Sequence, residues 1–307
     1  MYAKSKKYFI FTILLLTLLQ SLNQQTHSQS SELRFLDGEP AGALPALKIA
    51  NYIQKGKVSN ITDLPIYVAG EDNISQSNRA IVFIYDIGGF DSGRTREIMD
   101  NLAARGYFVI LPDLFRGKSY NGDFSFFSWL QTLTWDSVKN DLVNKVYPYL
   151  EQKGFKNWGM IGACFGGWVV MQSSIETDKV VAGISYHPSL QGRIDNSTMN
   201  TMGELVKSPQ LVITTMQEPD QVKPNGVMHK QLETRFSNTS MFKLYPGEDH
   251  GFVTRGNMTN STTEIAVNES IEMTYEFLEK IMPAKKITTT ASAIISNSMY
   301  VAFLYLI

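Results

Sequence analysis

The residues with the clearest capacity for chemistry lie in Gly162-Ala163-Cys164-Phe165-Gly166-Gly167. This is a G-x-nucleophile-x-G pattern with Cys where Ser is more common. Such a nucleophile sits on a tight strand-to-helix turn, and small neighbours at Gly162 and Gly166 keep both flanks open. A helix starting behind Cys164 aims its N-terminal dipole at the sulfur and favours the thiolate. The N–H of Phe165 would then face a developing oxyanion. The same hexapeptide could instead be a glycine-rich turn around a small, inert Cys.

A thiol nucleophile needs a base, and the base needs a group to orient it. The chain has four histidines: His27, His187, His229 and His250. His250, in Pro246-Gly247-Glu248-Asp249-His250-Gly251-Phe252, follows an apolar run and precedes the last helical pattern, the expected place for a late base. The acid should lie between nucleophile and base in chain order. Asp220, in Met216-Gln217-Glu218-Pro219-Asp220, is the first choice, with Glu218 second because one turn residue of slippage exchanges them. Glu248 and Asp249 are too close to His250 to orient it from a separate loop.

These residues need a scaffold, and the pattern of apolar runs supplies one. AIVFIY (80–85), YFVILPDL (107–114), WGMIG (158–162), VAGISY (181–186), LVITT (211–215) and residues 242–245 read as strands. Between them, 94–105, 136–152, the stretch from about 167, 225–236 and 263–281 have helical spacing. Alternating strand and helix predicts an α/β fold: a mostly parallel sheet with helices on both faces. Residues 31–60 read as irregular.

Lys and Arg total 28 against 29 Asp and Glu, with no basic block mid-chain, which argues against a nucleic-acid partner. Lys4, Lys6 and Lys7 followed by a 12-residue apolar run, Tyr8 to Leu19, predict a secretory signal within 1–29. The run is short of the roughly 20 residues a membrane span needs, although an uncleaved anchor is the other reading. Seven sequons, at Asn60, Asn73, Asn196, Asn238, Asn257, Asn260 and Asn268, fit a secreted glycoprotein. Residues 284–307 have the layout of a glycolipid-anchor signal, with a frayed tail or a packed strand as alternatives. Contact with a membrane would then be only through that lipid. Cys164 is the one cysteine in the chain. In an oxidising compartment it is buried and inert, paired with another chain, or kept for chemistry.

Taken with IYDIGGF (84–90), LPDLFRGK (111–118), SYHPS (185–189) and PGEDHGF (246–252), GACFGG resembles the dienelactone hydrolase family in order and spacing from about Gly56 to Met282. The resemblance implies an α/β-hydrolase fold over 31–283 and hydrolysis of a small ester or lactone through a thioester. It implies Cys164 as nucleophile, His250 as base and Asp220 as orienting acid. Ile87 and Phe165 would form the oxyanion hole with backbone N–H groups. Asp86 would face the resting thiol, keep it protonated and release it when substrate arrives. Arg255 lies beside the position of a substrate-binding arginine. His187 takes a structural place next to the site. No metal and no cofactor is implied. A non-catalytic carbohydrate- or ligand-binding protein on the same scaffold is the alternative from another class.

Overall fold

A computed structural model describes residues 52–284, apart from 76 and 121–125. The expected signal segment and the 284–307 tail, but for residue 284, lie outside these residues. Among the described residues no helix is long and apolar enough to cross a membrane.

Eight strands form one sheet in the order β1-β2-β4-β3-β5-β6-β7-β8. They are β1 (Lys57–Ile61), β2 (Leu64–Ala69), β3 (Ala80–Ile84), β4 (Phe108–Pro112), β5 (Trp158–Ala163), β6 (Val180–Tyr186), β7 (Gln210–Thr214) and β8 (Met241–Leu244). The six strands from β3 to β8 pair in parallel, as the alternating pattern predicts. β3, β4, β5 and β7 are buried at every position. Helices on both faces demand such continuous apolar runs.

The antiparallel edge departs from the sequence expectation. β1 and β2 form a hairpin closed at Ile61↔Leu64, and β2 pairs antiparallel with β4. KVSNI on β1 is half polar and largely exposed, so it carries no apolar run to announce it. The two-residue turn puts Thr62 at φ 53°, an unusual place for Thr.

The helices are α1 (Thr95–Ala104), α2 (Phe126–Thr132), α3 (Trp135–Asp141), α4 (Tyr147–Gln152), α5 (Phe165–Glu176), α6 (Asn196–Leu205), α7 (Val227–Arg235), α8 (Phe252–Arg255) and α9 (Ser261–Ile281). A π-helical turn, Leu142–Val146, joins α3 to α4. Pro148 sits at the start of α4, where its missing N–H is tolerated. α6 escaped the sequence reading because NSTMNTMGEL is mostly polar. It is started by Asp195, whose side chain accepts a hydrogen bond from Thr198 N.

Topology determines where a site can form. β3 lies between β4 on one side and β5 on the other, so the chain changes direction there. At such a switch point the loops leaving the carboxyl ends of adjacent strands diverge and leave a crevice. The loops after β3, β5, β6, β7 and β8 carry Asp86, Cys164, Ser189, Glu218 and His250 respectively.

Candidate active site

Cys164 ends β5 and caps α5, with φ 55° and ψ −112°. A non-glycine residue in that region costs roughly 1–3 kcal/mol, which the surrounding packing must hold in place. The flanking glycines make the turn possible. A Cβ on Gly162 would lie 2.1 Å from Gly166 O, and one on Gly166 would lie 2.1 Å from Ile84 O. The sulfur is thereby held at the top of the sheet on a buried residue, 2% exposed. Phe165 N–H opens α5 and so has no partner one turn back.

His250 sits in the turn after β8, and its Nδ1 is 2.6 Å from Glu218 Oε1. Both residues are buried. The other carboxylate oxygen of Glu218 accepts from Thr215 N, closing the turn after β7 over the acid. With Nδ1–H held by Glu218, Nε2 is left to face the thiol side of the site.

Asp220, the first choice for the acid, is not at His250. Its side chain is 96% exposed and pairs with Lys223 Nζ at 2.9 Å. The reason is local. The chain turns back at Thr215–Glu218, and Pro219 with φ −58° and ψ 143° carries it outward into a short 3-10 turn, Asp220–Val222. Glu218, with one more methylene than Asp, reaches from inside the turn, and it was the second choice from sequence.

The charges of the site are coupled. Burial opposes ionisation of Cys164, but the charge of His250 and a hydrogen bond with it bring the thiol below its ordinary 9.0. Asp86 opposes this, and a Ser189 hydrogen bond assists it. Burial likewise opposes charge on His250, yet the thiolate and Glu218 push it up to about 10 from 6.5. Each of the two groups thus favours the charged form of the other.

Asp86, expected to face the resting thiol, has close partners of its own. Its carboxylate is fully buried, accepts from Gly88 N at 2.8 Å and from Thr254 Oγ1 at 2.6 Å, and lies 3.0 Å from Arg255 Nε. Its charge disfavours the thiolate, the direction expected of it, while His250 favours the thiolate. Arg255, expected to bind substrate, is 3% exposed and committed to Asp86.

His187 is fully buried beside the base, its ring 4.9 Å from that of His250 and 5.9 Å from Phe252. Burial, with the charges of His250 and Arg255, holds it well below its ordinary value, so it stays neutral. It is a wall for the base, in keeping with the structural place the resemblance implies. Ile87 is buried in the loop after β3, and its carbonyl accepts from Tyr120 N at 3.2 Å.

Two residues were missed as participants. Ser189 Oγ is 3.1 Å from Cys164 Sγ and 3.3 Å from His250 Nε2. Arg193 donates from Nη1 to Leu133 O at 3.0 Å, and its guanidinium lies 4.4 Å from the Trp168 ring centroid and 5.2 Å from that of Phe165. Burial brings Arg193 down to about 10, against the opposing charge of Cys164. For Ser189 the sequence held one signal, its place just past the end of a strand in SYHPS. For Arg193 it held none. Among the described residues no three His, Cys, Asp or Glu side chains are grouped to hold a metal ion.

Comparison with known proteins bears on the family and the fold. The chain matches the dienelactone hydrolase family over residues 64–282. A carboxymethylenebutenolidase homolog of Xenopus tropicalis is 28% identical over 235 residues, covering 75% of this chain and 92% of that one. The hydrolase tropI of Talaromyces stipitatus is 26% identical over 245 residues, with the same coverages of 75% and 92%. A solved Klebsiella pneumoniae chain classed with the dienelactone hydrolases shares the fold, with TM-score 0.56 at 17% identity over 72% of this chain and 97% of that one.

Proposed function

Because the chain belongs to the dienelactone hydrolase family and is a hydrolase of that type, we propose that it cleaves carboxylic esters or lactones with a Cys164–His250–Glu218 triad. One observation carries the reading: a nucleophile elbow, a base 2.6 Å from a buried carboxylate, and a thiol–imidazole pair meet at the switch point of the sheet.

The mechanism follows from the atoms present. Cys164 Sγ attacks the carbonyl carbon as a thiolate, and the proton is held on His250 Nε2. The tetrahedral oxyanion is met by the backbone N–H groups of Phe165 and Ile87, each such donor being worth about 3 kcal/mol in acyl transfer. His250 returns the proton to the leaving alkoxide, giving a thioester. Water, deprotonated by the same nitrogen, then hydrolyses the thioester and restores the thiol–imidazole pair. Glu218 keeps Nδ1–H fixed, so Nε2 is the nitrogen that exchanges protons throughout. The substrate proposed is a small carboxylic ester or lactone.

The relatives' names support a butenolide-type lactone among the substrates to try first. The test is a panel of aryl esters and enol lactones against wild type, Cys164→Ala and Cys164→Ser. Expected is burst kinetics with a trappable thioester in wild type, and no turnover above background in Cys164→Ala with its melting temperature kept. Near wild-type turnover by Cys164→Ala would refute the nucleophile.

A further inference from the structure

Ser189 belongs to no part of the triad, yet its hydroxyl is in contact with both groups that exchange the proton. Its Oγ is 3.1 Å from Cys164 Sγ and 3.3 Å from His250 Nε2. Resting on the thiol-nucleophile reading above, we propose that Ser189 is a further catalytic residue, whose hydroxyl relays the proton between Cys164 and His250 and then donates to the thiolate.

The placement is built from several directions. After β6 the chain turns at His187, a non-glycine residue at φ 39°. That residue is fixed by its N–H donating to Ile213 O at 2.6 Å. Pro188 packs against the start of α5, where a Cβ on Gly167 would lie 2.7 Å from Pro188 Cβ. Ser189 N then donates to Cys164 O at 3.0 Å. The backbone of Ser189 is thus tied to the backbone of the nucleophile itself. Strain at His187 and the need for glycine at 167 are spent on holding this loop over the sulfur.

A hydroxyl suits the place chemically. It has one proton to donate and lone pairs to accept. With neutral partners, Sγ–H donates to Oγ and Oγ–H donates to Nε2, whose lone pair is free because Nδ1 carries the proton held by Glu218. Transfer moves the thiol proton to Oγ while the hydroxyl proton moves to Nε2. The sum is one proton moved from sulfur to imidazole, with Ser189 chemically unchanged. Afterwards Nε2–H donates to Oγ and Oγ–H donates to the thiolate, so both charges keep a partner. A hydrogen bond to a charged group is worth more than one between neutral groups.

The other groups facing the sulfur are His250 and, behind it, Glu218, then Asp86 with its partner Arg255, and Arg193; His187 stays neutral. None of them supplies a hydroxyl at the sulfur, so removing the Ser189 oxygen takes away one donor to the thiolate and leaves the hydrogen bond with His250.

The experiment compares wild type, Ser189→Ala, Ser189→Thr and Cys164→Ala. Two readouts are taken: the pH dependence of iodoacetamide alkylation, and kcat and KM for 4-nitrophenyl acetate. Ser189→Ala is expected to move the alkylation midpoint up by about one pH unit and to lower kcat about tenfold, with KM within about twofold. Ser189→Thr, which keeps the hydroxyl, should recover most of both. Ser189→Gly removes the same oxygen and is read in place of the alanine variant if that one fails to fold. An alkylation curve that superimposes on wild type overturns the proposal. So does a loss confined to KM, or a threonine variant no better than alanine. Turnover surviving in Cys164→Ala would instead strike the underlying nucleophile reading, and the alkylation curves would still report on Ser189 independently.

Discussion

Replacing Glu218 by Gln removes one charge and leaves the shape of the turn almost unchanged. Gln can still accept from Thr215 N, as Glu218 does. Its remaining group is then an NH2 facing His250 Nδ1, which must become an acceptor. That forces the proton onto Nε2, the nitrogen that has to take the thiol proton. The native contact is 2.6 Å between buried groups. Breaking a buried charged pair costs about 3–5 kcal/mol, which as a barrier is about 10²–10⁴ in rate. Retention of the Thr215 hydrogen bond favours the lower half of that range, so kcat is expected to fall about 10²–10³-fold. Asp220→Asn changes an exposed pair with Lys223 and should stay within about twofold of wild type. The stability effect has a definite sign. His250 is raised on folding from 6.5 to about 10. Such a group stabilises the fold fully below pH 6.5, and the contribution fades as pH rises through about 10. Glu218→Gln should therefore lower the melting temperature more at pH 6 than at pH 10. Initial rates on an aryl ester and thermal melts at the two pH values suffice. If Asp220→Asn loses as much as Glu218→Gln, or if Glu218→Gln keeps a third of kcat, the assignment of the acid is wrong.

Two other outcomes are expected. Asp86→Asn leaves Arg255 buried without its counter-charge, so thermal melts should show a loss of about 3–5 kcal/mol while the alkylation midpoint of Cys164 moves further below 9.0; unchanged melts and superimposed alkylation curves would remove Asp86 from the electrostatics of the site. We also propose export, and glycopeptide mapping of protein from a eukaryotic secretory host should find sugar among the exposed Asn60, Asn196, Asn238, Asn257, Asn260 and Asn268 but none on Asn73, whose Nδ2 already donates to Ala103 O and Tyr107 O at 2.7 and 2.9 Å. Glycan on Asn73 or its absence everywhere would count against this.

The parallel part of the sheet was legible because burial on both faces requires uninterrupted apolar runs, and AIVFI, FVILP and LVIT have no other reading. The β1–β2 hairpin was not, because an edge strand exposed on one side takes polar residues such as Ser59 and Asn60. α6 was hidden for a similar reason: only Met199, Met202 and Gly203 of its ten residues are buried, too few to make a stripe. Propensity and period describe faces that meet a core, and these elements meet it over a small area.

The site was legible to the extent that backbone geometry constrains it. The elbow needs small residues at fixed offsets, because Gly162 and Gly166 sit 2.1 Å from main-chain oxygens once a Cβ is added. Such requirements are written into sequence. The acid was ambiguous because its identity depends on where a loop turns, and Glu218 and Asp220 differ by two residues and one methylene. The weight of Asp86 at the sulfur was beyond the sequence for a further reason. From sequence, Asp86 was a lone negative charge near a thiol, but its effect depends on Arg255, 169 positions on in the chain and 3.0 Å away in space. A charge seen without its counter-ion has the right sign and the wrong weight. The same holds for Ser189, whose hydroxyl acquires a role only from the two atoms that the folded loops bring within 3.3 Å of it. Motifs that constrain the main chain therefore point to where chemistry occurs, whereas the protonation of the groups there is decided by pairs that only tertiary structure brings together.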